Sequence, residues 1–192
     1  IEQLGGSLRN LTAVRGLDYN LSERMETQLA LEETVLSRLL GDAVISDVAL
    51  VGTDTFFREG ASYGILFEAR SNFVLSEQLK RLRRDALARA PGAGDQTVTI
   101  AGRKVWLLSI PDNRVRSFYA VDGDYHFITT SRRLVERFYE AGEGRENLAS
   151  LNEFHYARKL MPAERGDAVF IYLSDPLFRE IVRPKYRVEM TW

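Results

Sequence analysis

The sequence predicts an α+β domain: an antiparallel β-meander packed with flanking helices and preceded by an N-terminal helical region. Three observations carry that expectation. Apolar residues recur at helical spacing at the start of the chain and again over 73–90, whereas residues 96–130 alternate with period two between turn signals. Within that alternating stretch Asp122-Gly123 divides two segments, and an Asp-Gly pair so placed is the strongest short-range hairpin signal. The chain has 192 residues, of which 45% are hydrophobic and 28% charged, so it can build a full core and does not belong with disordered or fibrous sequences.

The elements follow in order. Leu4, Leu8 and Leu11, then Leu21, Met25 and Leu29, then Leu36 and Leu40 mark two or three helices broken by Gly5-Gly6, Gly16 and Gly41. This gives an N-terminal helical region over 1–42, expected to form one compact unit with an α+β domain over 43–192. Val48 to Val51 is a short apolar strand, and residues 54–60 read as a single capped turn. In the next strand Tyr63, Ile65, Phe67 and Ala69 share a face. A helix from Phe73 to Ala90 carries Leu75, Leu79, Leu82 and Ala86 along one side and stops at Pro91-Gly92. Four meander strands then turn near Gly102, near Pro111-Asp112-Asn113 and at Asp122-Gly123. A two-residue loop at Asp122-Gly123 sets Val121 opposite Asp124, Tyr119 opposite His126 and Phe118 opposite Phe127. Ser131 opens a helix that closes at Gly142, Ser150-Leu151-Asn152-Glu153 reads as a capping box, and Ala168 to Leu173 reads as a central strand. Asp175-Pro176 starts a last helix. The order strand-Asp-x-x-Phe-Arg-Glu occurs at Asp54 and again at Asp175, an echo open to two readings, an ancient duplication or a coincidence of capping chemistry, the second being the favoured one.

Several function classes are disfavoured by composition. The formal net charge is −1 and the most basic run, Lys80-Arg81-Leu82-Arg83-Arg84, lies on a helix where Glu77, Arg81 and Asp85 alternate in sign at four-residue steps. A solvated helix face is the expected reading, and no nucleic acid is expected as a partner. The bias of 22 Arg to 4 Lys fits a GC-rich genome and carries no further meaning. With no cysteine there is no disulfide, thiolate ligand or cysteine nucleophile. No apolar run approaches the roughly 18 residues of a membrane-spanning helix. The chain opens on Ile1 and closes on Trp192 inside the alternating stretch from Tyr186, which suggests a piece of a longer polypeptide.

Candidate chemistry centres on one strand pair. Asp124 and His126 share a face with Tyr119, so a carboxylate, an imidazole and a phenol can approach within hydrogen-bond range. Catalysis there needs a nucleophile, and Ser117 lies on that face but too loosely linked to complete a triad. The plain alternative is a Tyr–His pair that only packs. His155 reads as a boundary residue, Glu59 with Glu68 meets only if a turn folds back, and Asp122 belongs to the hairpin. Gly142-Glu143-Gly144 lacks a preceding strand, and no phosphate loop, nucleophile elbow or metal-ligand spacing occurs, so no cofactor and no metal are expected. Both faces of the meander are apolar, with Val115, Tyr119, Val121 and Ile128 on one and Phe118, Ala120, Tyr125 and Phe127 on the other. A two-layer domain leaves one such face to be covered by its own N-terminal helices, another domain or a partner.

The segments Asp47 to Asp54 with Arg58-Glu59-Gly60, Asp122 to Ser131 and Val169 to Asp175 resemble parts of large multidomain bacterial proteins carrying an uncharacterised domain of unknown function. That resemblance implies an extracytoplasmic setting, in the periplasm or cell envelope, and assigns no functional residue. The favoured expectation is a non-catalytic structural or protein-interaction domain whose partners are other domains of the same polypeptide or protein subunits. Two alternatives stand beside it: a domain binding a small or lipid-like ligand between meander and helices, and a hydrolase-type enzyme centred on Asp124, His126 and Tyr119.

Overall fold

A computed structural model describes residues 21–31, 44–53, 62–112, 114–162 and 170–175. In chain order these form helix α1 (Leu21–Leu29), strands β1 (Ile45–Gly52) and β2 (Tyr63–Ala69), helix α2 (Asn72–Arg89), and strands β3 (Gly94–Ile100), β4 (Arg103–Ser109), β5 (Arg116–Asp122) and β6 (Tyr125–Thr129). Helix α3 (Arg132–Gly142), a 3₁₀ turn (Leu148–Ser150) and helix α4 (Asn152–Leu160) follow. The fold is α+β, as the periodicities predict. Of the N-terminal helical region only α1 and the residues to Leu31 can be assessed, and the turn over 54–60, its share in the internal echo and the helix after Asp175 lie outside the described residues.

The six strands make one antiparallel sheet in the order β1-β2-β6-β5-β4-β3. Chain connectivity explains the order. Helix α2 has 18 residues and is therefore about 27 Å long. That length spans the four strand spacings, about 19 Å, between β2 and the far edge at β3. The meander then works back from that edge until β6 meets β2, pairing Gly64 with Thr129 and Phe67 with His126.

Each sheet face has its own core. On the front, Tyr63, Phe67, Ala69, Tyr119 and Ile128 pack against Leu75, Leu79 and Leu82 of α2 and against Leu29 and Leu31 at the end of α1. The predicted helical stripe and the predicted face of β2 are both realised here. The Tyr63 hydroxyl donates to Gln28 Oε1 at 2.6 Å and ties α1 to the sheet. On the back, Ile100, Val105, Phe118 and Ala120 pack against Val135 and Tyr139 of α3. Phe127 adds a ring contact with Phe138 at 5.3 Å. The second apolar face is thus covered at its centre by the chain's own α3, making three layers where the meander alone suggested two.

Gly64 lies where β2 meets β6, paired with Thr129. A Cβ built there would lie 2.7 Å from Ile128 O, from Phe127 Cε2 and from Thr129 Cβ, so two of its neighbours cannot yield without moving β6. Gly64→Ala is expected to destabilise the domain by about 1–3 kcal/mol, as overpacking does. Urea denaturation should give a lower midpoint with unchanged slope, whereas an unmoved midpoint would mean that the strands separate freely.

Four expectations need correction. The β5–β6 register pairs Asp122 with Tyr125, Val121 with His126, Tyr119 with Ile128 and Phe118 with Thr129, two residues away from the predicted pairing. The loop residues are Gly123 and Asp124, and of Asp122, Gly123 and Asp124 only Gly123 has positive φ, at 57°. A glycine leading the loop fits the II′ class, which needs one positive φ instead of two and leaves Asp122 in the strand. There Asp122 Oδ1 accepts from Arg103 Nη1 at 2.6 Å. Secondly, no capping box forms at Ser150: that hydroxyl donates to Asn147 O at 2.7 Å within the 3₁₀ turn, and Leu151 occupies the cap of α4. Thirdly, residues 170–173 are not a covered strand. Phe170 and Tyr172 pack edge-on against Phe154 of α4 while Ile171 and Leu173 are exposed, which gives the segment a ring cluster in place of a sheet position. Fourthly, the basic run on α2 is not wholly solvated, because Arg83 is only 5% exposed.

Candidate functional site

A shift of two residues keeps every side chain on its predicted face, because side chains alternate with period two. Tyr119 of β5 and His126 of β6 therefore still meet on the front face, diagonally and not directly opposite. Tyr119 Oη lies 2.8 Å from His126 Nδ1. The first turn of α2 supplies the partner on the other side of the ring, with Asn72 Oδ1 2.8 Å from His126 Nε2. Asn72 Nδ2 in turn donates to Asp124 Oδ1 in the β5–β6 turn. The carboxylate thus reaches the imidazole through Asn72 and not by direct contact.

This chain of contacts fixes the protons. An ionised carboxylate can only accept, so Asn72 must present its amide N–H₂ to Asp124 and its oxygen to the ring. His126 Nε2 then carries the hydrogen, Nδ1 accepts, and the Tyr119 hydroxyl donates. Burial pushes the His126 pKa below its ordinary 6.5, with the Asp124 charge opposing, so the neutral ring is the favoured form. Burial also pushes the Tyr119 phenol up to about 12, against the Ser76 hydroxyl and the Arg83 charge, which keeps it a donor. Tyr119 is stacked on Trp106 at 5.3 Å between ring centres.

A second polar contact sits beside the first. Arg83 Nη2 pairs with Asp95 Oδ1 at 2.9 Å, and Nη1 donates to Ser117 O at 3.2 Å. The same nitrogen approaches Ser117 Oγ at 3.5 Å. Ser117 is buried and engaged by Arg83, so it serves the attachment of α2 to β5 and does not extend the histidine relay. Elsewhere Glu77 pairs with Lys80 at 2.8 Å, Tyr125 Oη donates to Glu68 Oε1 at 3.3 Å, and His155 is exposed on α4. Glu59 lies outside the described residues.

No family model, curated protein or solved structure matches this chain. The chemistry must be read from the geometry. His126 is 0% exposed and Tyr119 1%, and both ring nitrogens are already bonded, so the relay offers no free base to an incoming substrate. What it does offer is attachment: the start of α2 is held to β6 through Asn72. Among the described residues no group of three His, Cys, Asp or Glu side chains could hold a metal ion.

Two members of these networks escaped the sequence reading. Asn72 stands where a helix start was expected one residue later, and a side chain's reach across layers has no signature in periodicity. Arg83 did leave a signal, since it lies four residues after Leu79 and eight after Leu75, on the buried stripe.

Proposed function

We propose that this chain is a non-catalytic protein-interaction domain of a larger bacterial protein, and that its docking element is the free edge of β1. The observation that carries the reading is the exposure of that strand. Among the described residues β1 pairs with β2 alone, yet Leu50 is 59% exposed and Val48 and Val51 are exposed with it. Thr53 N donates to Ser62 O, which sets the alternation of the ladder and directs the backbone groups of Val48, Leu50 and Gly52 away from β2. Such an edge is a template for another strand unless it is blocked. The opposite edge, β3, carries Asp95, Gln96, Thr97 and Thr99 instead. The relay supports the reading indirectly, because its polar groups are spent on holding α2. The ligand-binding alternative gains no support from the filled contact between α2 and the sheet.

Amide hydrogen exchange on the parent protein, isolated from cell-envelope fractions together with whatever accompanies it, tests this. The amides of Leu50 and Gly52 should be protected by about 100-fold or more in the assembly and exchange freely in the separated domain. Leu50→Lys should leave the circular dichroism and melting of the separated domain unchanged and abolish that protection. Equal exchange in both states would remove the reading.

A further inference from the structure

Among the described residues the edge of β1 is open, and the side chains along it differ in charge from one end to the other. We propose that its occupant is an extended segment of another protein that adds antiparallel to β1, apolar where it meets Val48 and Leu50 and basic at its C-terminal end. The inference rests on β1 being a docking edge and adds what docks there.

Charge decides the chemistry. Asp47 stands directly across from Glu68, and Glu68 across from Tyr125, so two acids share the back face at the start of β1. Like charges directly opposite oppose each other in a sheet. No salt bridge joins Asp47, Glu68 or Asp124 to a base among the described residues. Glu68, together with burial and the charges of Asp124 and Asp47, pushes the Tyr125 phenol up, so the field of the three acids is felt by a neighbour. Asp47 Oδ1 accepts the outward N–H of Val48 at 2.7 Å, which leaves the outward groups of Leu50 and Gly52 and the Val48 carbonyl for the incoming backbone.

Geometry decides the direction. Every pairing in the sheet is antiparallel, and a strand added to β1 in the same sense brings its C-terminal residues beside Asp47. The residue opposite Asp47 would occupy a non-hydrogen-bonded position, where facing side chains come closest. A basic side chain there meets Asp47 directly, with Glu68 in the same row one strand further in, about 10 Å away and within reach of a long side chain's field. Val48 and Leu50, on the front face, then meet apolar side chains. Self-pairing serves this edge less well, because a two-fold axis centred on Ala49 would set Asp47 against Val51 of the second copy and leave both acids unpaired.

The test uses capped peptides matching the eight residues of β1, alternating valine and threonine. One ends in two lysines, one ends in two glutamates, and one begins with the two lysines. Binding is followed by amide shifts and exchange at Leu50 and Gly52 in the full chain. The peptide ending in lysines should bind at least about tenfold more tightly than either other peptide. The double variant D47N/E68Q should remove that preference while leaving the protein folded. Equal binding of all three peptides would overturn the charge selection and leave the docking edge standing. If no peptide binds and the edge amides exchange freely, the docking edge itself falls. Edge amides already protected in the full chain at low concentration would mean that another part of this chain holds the edge. Protection that grows with protein concentration would mean a second copy. Either result overturns the proposal.

Discussion

Replacing His126 by alanine is expected to lower the stability of the domain by about 3 kcal/mol or more, the combined effect of a cavity and stranded polar groups. The ring is wholly enclosed, and its loss leaves the Tyr119 hydroxyl and the Asn72 carbonyl facing empty space. The Asn72 contact attaches the start of α2 to the sheet, so hydrogen exchange should rise first in the opening turn of that helix. The wild-type protein should also show a pH signature. Burial lowers the folded-state pKa of His126 below 6.5, so above that pH the ring is neutral whether the chain is folded or not. Below it the unfolded chain takes up a proton that the core refuses, and the equilibrium moves toward unfolding. Stability is therefore full above about pH 6.5 and declines as the pH falls, ahead of the carboxylates that titrate near pH 4. His126→Gln should flatten that stretch of the profile. A wild-type profile already flat there, or one that the variant leaves unaltered, would show that the ring is not held neutral.

Asp95→Asn should cost more than Arg83→Met, about 3 against about 1 kcal/mol, although each removes half of the same ion pair. The asymmetry lies in where the two charges sit. The Asp95 side chain is 36% exposed and can turn to water when its partner is gone, whereas that of Arg83 is 6% exposed and cannot. Burial lowers the Arg83 pKa and Asp95 opposes that shift, so the carboxylate is what allows the charge to remain under α2. Arg83→Met keeps the aliphatic stem and withdraws the charge altogether. The double variant should recover much of the loss seen in Asp95→Asn, because it no longer buries an unpaired guanidinium. Thermal melts of the three proteins give the ranking, and Arg83→Met proving the most damaging would place the importance in the Ser117 contacts.

The residues differ in how openly they announce these roles. Face assignments were legible because they depend only on parity, and Tyr63, Ile65, Phe67 and Ala69 fall on one side of β2 in every register. The pairing of β5 with β6 was not, since Asp122-Gly123-Asp124 admits two neighbouring two-residue turns, and the contact that Asp122 makes with Arg103 of β4 has no signature in local sequence. The Tyr119–His126 contact survived that error because a slip of two positions preserves the face. Asn72 was hidden for a different reason. Its partners lie more than fifty residues away on the far side of a helix-to-sheet contact, and local sequence carries no trace of them. Ser150 shows the opposite failure, a strong local motif whose hydroxyl was taken by a nearer carbonyl.

Helices on both faces leave the sheet one way to grow, which is sideways. A strand added at β1 would become a seventh member in the same plane and would disturb neither α2 nor α3. Neighbouring strands in a sheet rotate by about 20–25° on average, so five steps from β1 to β3 turn the two edges by about 100° or more relative to each other. The apolar edge and the polar edge therefore point in different directions. A strand added along β1 would thus leave the polar edge of β3 unobstructed.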